Sequence, residues 1–178
     1  FDNYAQSSFV CKGLLAVSPC AYMQEIADYS LQFPLLALRH YAYSGDREYL
    51  RQTLTVCEGI LRHFAQFARP DGLLEHVWDK WNLVDWPEGC RDGYDFPLTN
   101  PVGNGCHNVV NAFYIGCTIQ TELIRDILGQ PQPKRSPALI EAFYRTFYRP
   151  QTGLFADAEG SQHSSLHANI LPVFYGFA

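Results

Sequence analysis

The sequence lacks the features that mark several large classes of protein. Its apolar runs fall short of the ~20 residues that a bilayer-spanning helix needs, and its first residues carry neither a basic start nor an apolar signal core. The 13 Lys and Arg residues are scattered among 18 Asp and Glu, for a net charge of −5. Because this leaves no basic stripe for a phosphate backbone, we expect neither a membrane nor a nucleic acid as a partner.

Motifs for metals and nucleotides are also missing. The six cysteines show no C-x-x-C spacing and no zinc-type pairing with the six histidines. No Walker or G-x-G-x-x-G element occurs. The sequence therefore predicts no bound metal and no cofactor. Cys57 and Cys117 lie in apolar stretches, where a small buried side chain is a more frequent role than a disulfide partner.

What the chain does have is apolar material in helical periodicity. Hydrophobic residues make up 47% of the 178 residues, enough for one globular core. Three- and four-residue steps predict a helix from Gln24 to Tyr43 with a kink at Pro34. Ser44-Gly45-Asp46 predicts a tight turn with Asp46 as the N-cap of a second helix, which ends near Phe64. Two antiparallel helices joined in this way form a hairpin.

The same arrangement recurs later in the sequence. A long apolar helix is predicted from Asn108 to Leu128, closed by Gly129. Its partner is predicted to be capped and opened by Ser136-Pro137 and to end near Tyr148. A third hairpin begins at about Leu166. The fold class predicted from this pattern is all-α, with about two and a half antiparallel helix hairpins.

Three long connections precede the first helices of these hairpins. They span residues 1–23, 70–106 and 150–165, and loops longer than ~15 residues are usually functional or disordered. These loops are too rich in aromatic residues to be disordered. If the hairpins lie side by side, all three loops emerge at one end of the array, so that end should carry the function. The pattern favours a helical toroid with long rim loops.

The densest group of aromatic and acidic residues runs from position 75 to 96 and contains all three tryptophans of the chain. Tryptophan rings stack on the apolar faces of sugars while carboxylates accept hydrogen bonds from sugar hydroxyls, so this mixture is typical of a carbohydrate pocket. The alternative is an aromatic cluster that fills the loop's own small core. The candidate sugar-binding residues in this stretch are Trp81, Asp85, Trp86, Arg91, Asp92 and Tyr94.

The motif Val84-Asp85-Trp86-Pro87 resembles the aspartate–tryptophan loop of α-L-rhamnosidases, which belong to the six-hairpin glycosidases. Residues 26–30, followed by the Gly-Asp turn at 43–50, look like that family's inner-helix start and hairpin turn. Residues 152–157 and 164–172 give a third match. Together these segments cover most of the chain in the family's order, although each motif alone has little specificity.

The resemblance implies an (α/α)6 barrel that hydrolyses terminal α-L-rhamnosides with inversion. One carboxylic acid protonates the leaving oxygen, and a carboxylate base ~6.5–9.5 Å away activates water. In that family the acid lies upstream of the position matching Phe1 and the base downstream of the position matching Ala178. Residues 1–178 are therefore expected to be a single partial catalytic domain, truncated at both ends, with Asp85 as its best carboxylate.

The resemblance also implies roles for individual residues. Trp86 is expected to form a sugar-facing wall, with Asp85 and Asp28 accepting hydrogen bonds from hydroxyls. For Asp28, a carboxylate that satisfies the backbone donors of a helix start is an equally good interpretation. His167 opens a helix at the rim end and is a further candidate for sugar binding, with a structural hydrogen-bonded role as the alternative.

Other functions and partners stay open at this point. A trehalase-type or debranching-type six-hairpin glycosidase shares the same architecture, and a non-catalytic carbohydrate-binding or structural helical domain is a different class. An open arc of hairpins exposes apolar helix faces, which predicts self-association or cover by a remainder of the parent chain. Localisation cannot be read from the sequence, whereas the resemblance implies a secreted or periplasmic parent.

Overall fold

The computed structural model describes residues 26–77, 81–94 and 105–178. The first long loop, the predicted helix start at Gln24, and Trp78 and Asp79 of the aromatic stretch lie outside these residues. The helices are α1 (Ala27–Leu31), α2 (Phe33–Ser44), α3 (Arg47–Phe64), α4 (Asn108–Leu128), α5 (Ser136–Phe147) and α6 (Leu166–Phe174). Short 3-10 helices span Ala65–Phe67 and Glu88–Cys90. The strands β1 (Tyr148–Arg149) and β2 (Leu154–Phe155) form an antiparallel pair.

The first hairpin follows the sequence pattern closely. The kink predicted at Pro34 is a break at Gln32 between α1 and α2, with Pro34 in the first turn of α2, where its missing N–H costs little. Helix α2 ends at Gly45 in the left-handed conformation, with a φ of 68°. Asp46 then accepts a 2.9 Å hydrogen bond from the backbone N–H of Tyr49. The predicted N-cap is confirmed.

The second hairpin has the predicted helices but a different cap. Helix α4 ends at Gly129, whose φ of 74° allows the left-handed turn. Ser136 was predicted to cap α5, but it is the first helical residue and its hydroxyl donates to Glu122 Oε2 at 2.6 Å. Glu122 Oε1 also accepts the backbone N–H of Arg135 at 2.7 Å. The cap is therefore a carboxylate from the partner helix, which local sequence does not indicate.

Helix α4 lies at the centre of the described part of the chain. It packs against α1, α2, α3, α5 and α6, and Tyr114, Ile115 and Cys117 are fully buried within it. Each large apolar side chain buried here contributes ~1.5–3 kcal/mol. Cys57 of α3 and Cys117 are free thiols in the same core. Because α4 is packed on all these sides, the position of its first residues is fixed. The segments that carry the candidate site contact these residues.

The loop between α5 and α6 starts with a hairpin of two strands that the sequence did not predict. Tyr148 pairs with Phe155, and Arg149 with Leu154. Strands of two residues are too short to give an alternating pattern. The mostly helical architecture predicted for a partial toroid is confirmed, with this small sheet as an addition. None of the helices in the described ranges has both the length and the apolar character to cross a membrane.

Candidate functional site

Residues 81–94, here called the rim segment, lie across the starts of three helices. The backbone N–H of Ala27 in α1 donates to the carbonyl of Trp81 at 3.1 Å. At the other end of the segment, Asp92 Oδ2 accepts the N–H of Leu166 in α6 at 2.6 Å. The hydroxyl of Tyr94, the last residue of the segment, lies 3.1 Å from Nδ1 of His107, the residue that precedes α4. Helices α1, α4 and α6 therefore begin at one end of the molecule, the rim end.

Asp85 lies at the middle of the rim segment. Its Oδ2 is 3.0 Å from Nε2 of His167, and its Oδ1 accepts the N–H of Trp86 at 2.7 Å. The hydrogen bond with His167, followed by that with Trp86, lowers the pKa of the Asp85 carboxyl. Arg91 Nε donates to the Asp85 carbonyl at 3.0 Å. Asp85 is thus an ionised, half-exposed carboxylate in a fixed position.

The two described tryptophans of the rim segment stand edge to face. Their ring centroids are 6.3 Å apart and their planes meet at 78°. Trp86 is 67% exposed, whereas Trp81 is partly buried beside α1. An exposed indole next to a carboxylate provides the stacking face and the hydrogen-bond acceptor that a sugar ring requires.

Asp28 is close to this pair but occupies a different environment. It is 8% exposed, and its Oδ1 accepts the N–H of Tyr29 at 3.1 Å while its Oδ2 accepts the N–H of Val84 at 3.2 Å. Burial raises the pKa of Asp28 to about 6, against the opposing effect of these backbone hydrogen bonds. This geometry favours the backbone-binding interpretation of Asp28 over direct contact with a sugar.

Asp92 and Tyr94 connect the rim segment to its supports. Asp92 is exposed and binds the start of α6, as described above. Tyr94 is buried, and its hydroxyl donates to the carbonyl of Asp157 at 2.8 Å. The structure thus brings Asp85, Trp86 and His167 together and places Asp92 and Tyr94 at anchoring contacts nearby.

Asp157 is a residue of the rim that sequence reasoning missed. It is fully buried, and its Oδ2 lies 2.6 Å from His163 Nδ1 while its Oδ1 accepts the N–H of Ser165 at 2.7 Å. Its carbonyl accepts the N–H of Asn108 at 2.8 Å. Asp157 therefore joins the first residues of α4 and α6. The available signal was an acid directly after the apolar pair Phe155-Ala156.

A separate groove lies away from the rim segment, on the side where α3 faces α4. Its volume is about 340 Å³, and the turn before α5 closes one side. The ion pair between Arg125 and Glu58 spans it. The candidate sugar-binding residues do not line this groove. Asp85 and Trp86 lie instead on the exposed surface of the rim. In the described ranges, no group of three His, Cys, Asp or Glu side chains is placed to hold a metal ion.

Comparison with known proteins gives structural matches alone. No family model matches the chain, and no curated protein matches it. The GH78 family rhamnosidase of Bacillus sp. GL1 superposes with a TM-score of 0.78 at 16% identity, over 98% of this chain and 18% of that one. The rhamnosidase from Klebsiella oxytoca with rhamnose bound gives a TM-score of 0.69 at 16% identity, over 93% of this chain and 31% of that one. The chain therefore has the fold of a part of these rhamnosidases and spans less than a third of either.

Proposed function

We propose that this chain forms part of the substrate pocket of a glycoside hydrolase acting on terminal α-L-rhamnosyl residues. The observation that carries the proposal is the exposed Trp86 indole beside the ionised Asp85 carboxylate, where three helices begin. The similarity of the fold to two rhamnosidases supports it, and one of these was solved with rhamnose bound. In this proposal Trp86 stacks on the sugar ring, and the Asp85 carboxylate accepts hydrogen bonds from the hydroxyl groups of the sugar.

The states of the carboxyl groups bear on the mechanism. A general acid needs a raised pKa so that it keeps its proton at neutral pH, whereas the pKa of Asp85 is lowered. Asp28 has a raised pKa, but it is buried and backbone amides occupy both its oxygens. Neither carboxyl is placed to protonate a leaving group. We therefore propose that the general acid of an inverting reaction lies outside this segment and, as the sequence resemblance implies, that the base ~6.5–9.5 Å from it lies outside as well.

The test is hydrolysis of 4-nitrophenyl α-L-rhamnopyranoside by the full-length gene product. Asp85→Ala and Trp86→Ala should each raise KM about tenfold or more, because each removes a contact with the bound sugar. Tyr43→Ala is the matched control, since Tyr43 is an exposed aromatic residue at the end of α2 remote from the rim. It should leave KM unchanged.

Three results would contradict the proposal in different ways. A KM equal to that of wild type in both rim variants would show that Asp85 and Trp86 do not contact the bound sugar. Cleavage of an α-glucoside in place of the rhamnoside would favour a trehalase-type or debranching-type enzyme. Rhamnoside binding without turnover would favour a non-catalytic carbohydrate-binding domain.

A further inference from the structure

Val84, immediately before Asp85, has a backbone conformation that its side chain disfavours. Its φ is 59°, in the left-handed region that β-branched residues rarely enter. Such a conformation is strained and persists where surrounding contacts hold it. Because Val84 sets the direction in which the chain continues, its φ determines where Asp85 and Trp86 point.

A hydrogen bond from the Asp85 N–H to the Leu83 carbonyl at 2.7 Å closes this turn, and a contact from α1 ties the turn to the helix. Asp28 Oδ2 accepts the Val84 N–H at 3.2 Å, and the Ala27 N–H holds the Trp81 carbonyl at 3.1 Å. Asp28 is itself fixed by burial and by its second hydrogen bond, to Tyr29. The start of a helix is thus bonded directly to Val84, the residue with positive φ immediately before Asp85.

We infer that Asp28 is a positioning residue for sugar binding: by accepting the Val84 N–H it holds the turn that presents Asp85 and Trp86, without touching the sugar. The inference rests on the proposed function. His167 holds the Asp85 carboxylate from α6 at 3.0 Å, so two helices fix the loop, one through its backbone and one through its side chain.

The test is a double-mutant cycle between Asp28 and Val84, with methyl α-L-rhamnopyranoside as the probe and the full-length protein as the sample. Asp28→Ala should weaken binding about tenfold, because the turn loses its acceptor. Glycine adopts positive φ without strain, so adding Val84→Gly to Asp28→Ala should restore much of the affinity. Asp28→Asn keeps an acceptor oxygen and should stay within about threefold of wild type.

The control and the kinetic readout separate positioning from general stability. Asp46→Ala removes a carboxylate that also accepts a helix N-terminal N–H, but at the hairpin end remote from the rim. It should lower the melting temperature and leave the probe's Kd unchanged. In hydrolysis assays Asp28→Ala should raise KM with little change in kcat, since the acid and base are untouched.

Two outcomes would overturn the inference. One is wild-type affinity in folded Asp28→Ala. The other is a double variant that binds as weakly as Asp28→Ala, which would indicate direct contact of Asp28 with the sugar. Where Asp28→Ala fails to fold, hydrogen exchange at the Val84 amide is measured in wild type and in Asp28→Asn at pH 5 and pH 7. Exchange as fast as that of a solvent-exposed amide in both proteins would show that the proposed hydrogen bond does not form. Absence of probe binding by wild type would refute the proposed function, and Val84 protection would then still report on the Asp28 contact.

Discussion

Asp28 and Asp85 lie close together, yet the pKa values of their carboxyl groups are shifted in opposite directions. Both accept backbone N–H bonds, which favour the ionised form. Asp85 is half-exposed and faces His167, so its pKa falls. Asp28 is buried, and desolvation raises its pKa to about 6 in spite of the backbone N–H groups that donate to it. Burial therefore decides which of the two carboxyls is ionised under mildly acidic conditions.

The raised pKa of Asp28 has a consequence for stability. The folded protein binds the Asp28 proton more tightly than the unfolded chain, whose pKa is near 3.8. The contribution of Asp28 to stability thus falls as pH rises from about 4 to above 6, by about 2–3 kcal/mol in total. Asp28→Asn lacks this titration. We expect the free energy of unfolding of the variant minus that of wild type to increase by this amount over the same range.

Urea unfolding at a series of pH values measures this difference. The other ionisable groups titrate in both proteins and cancel in the subtraction. A difference that stays constant, or that decreases as pH rises, would mean that Asp28 is not desolvated in the folded chain.

Gly116 in the middle of α4 gives a prediction about packing. A Cβ atom at this position would lie 2.4 Å from ring atoms of Tyr175, far inside van der Waals contact. Alanine favours a helix over glycine by about 1 kcal/mol, yet we expect Gly116→Ala to destabilise the protein by about 1–3 kcal/mol because the ring must move. Thermal or urea unfolding gives the sign directly.

Gly89 provides the comparison for Gly116. It is exposed in the short helix Glu88–Cys90, and an added Cβ meets nothing within 4 Å. Gly89→Ala should change stability by less than about 0.5 kcal/mol. An increase in stability for Gly116→Ala would show that Tyr175 does not pack against α4 as described.

At the scale of elements, Arg69 joins three parts of the chain that are distant in sequence. Its guanidinium reaches Asp71 Oδ1 at 2.9 Å, Glu159 Oε2 at 2.8 Å and Thr146 Oγ1 at 3.1 Å. The hydrogen bond with Asp71 is the main cause of the raised pKa of Arg69. The planar fork of donors is what allows one side chain to bind all three groups. Arg69 thus ties the chain after α3 to α5 and to the loop that leads to α6.

We expect Arg69→Met to lower the free energy of unfolding by about 2–3 kcal/mol, because it breaks hydrogen bonds to charged groups that are partly shielded from water. Arg69→Lys should fall between Met and wild type. Arg145→Met is the control: its partner is Glu141 one helical turn away on the exposed face of α5, a type of pair worth about 0.3–0.5 kcal/mol. Equal losses of unfolding free energy in the Arg69 and Arg145 variants would show that Arg69 does not stabilise the protein by linking these elements.

The sequence predicts correctly those elements whose determining residues lie within the element itself. Apolar periodicity gave α3 and α4, and the turn at Gly45-Asp46 gave the first hairpin, since each signal lies within the element itself. The cap of α5 comes from Glu122 on another helix, and the anchoring of α4 and α6 comes from Asp157 in a distant loop. Asp85 and Trp86 could be proposed as candidates because the chemistry of their side chains is evident from the sequence alone, whereas the backbone role of Asp28 depends on a contact across 56 residues.

At the scale of the whole molecule, α6 presents an apolar face to solvent. Leu166, Ile170 and Val173 follow one another at helical spacing and are 52% to 63% exposed, and Phe174 beside them is exposed as well. Several large apolar residues on one helix face mark an interaction surface. The predicted self-association is therefore proposed to occur through this face of α6.

Light scattering coupled to size exclusion tests this proposal on the 178-residue chain. We expect a concentration-dependent mass above that of a 20.2 kDa monomer. Ile170→Glu combined with Val173→Glu should shift the chain toward the monomer, because charges on the face oppose its burial against a second copy. Leu123→Glu is the control, since Leu123 is a similarly exposed apolar residue on α4 and lies outside the α6 face. A monomeric wild-type chain, or equal dissociation by both changes, would show that the face on α6 does not mediate association.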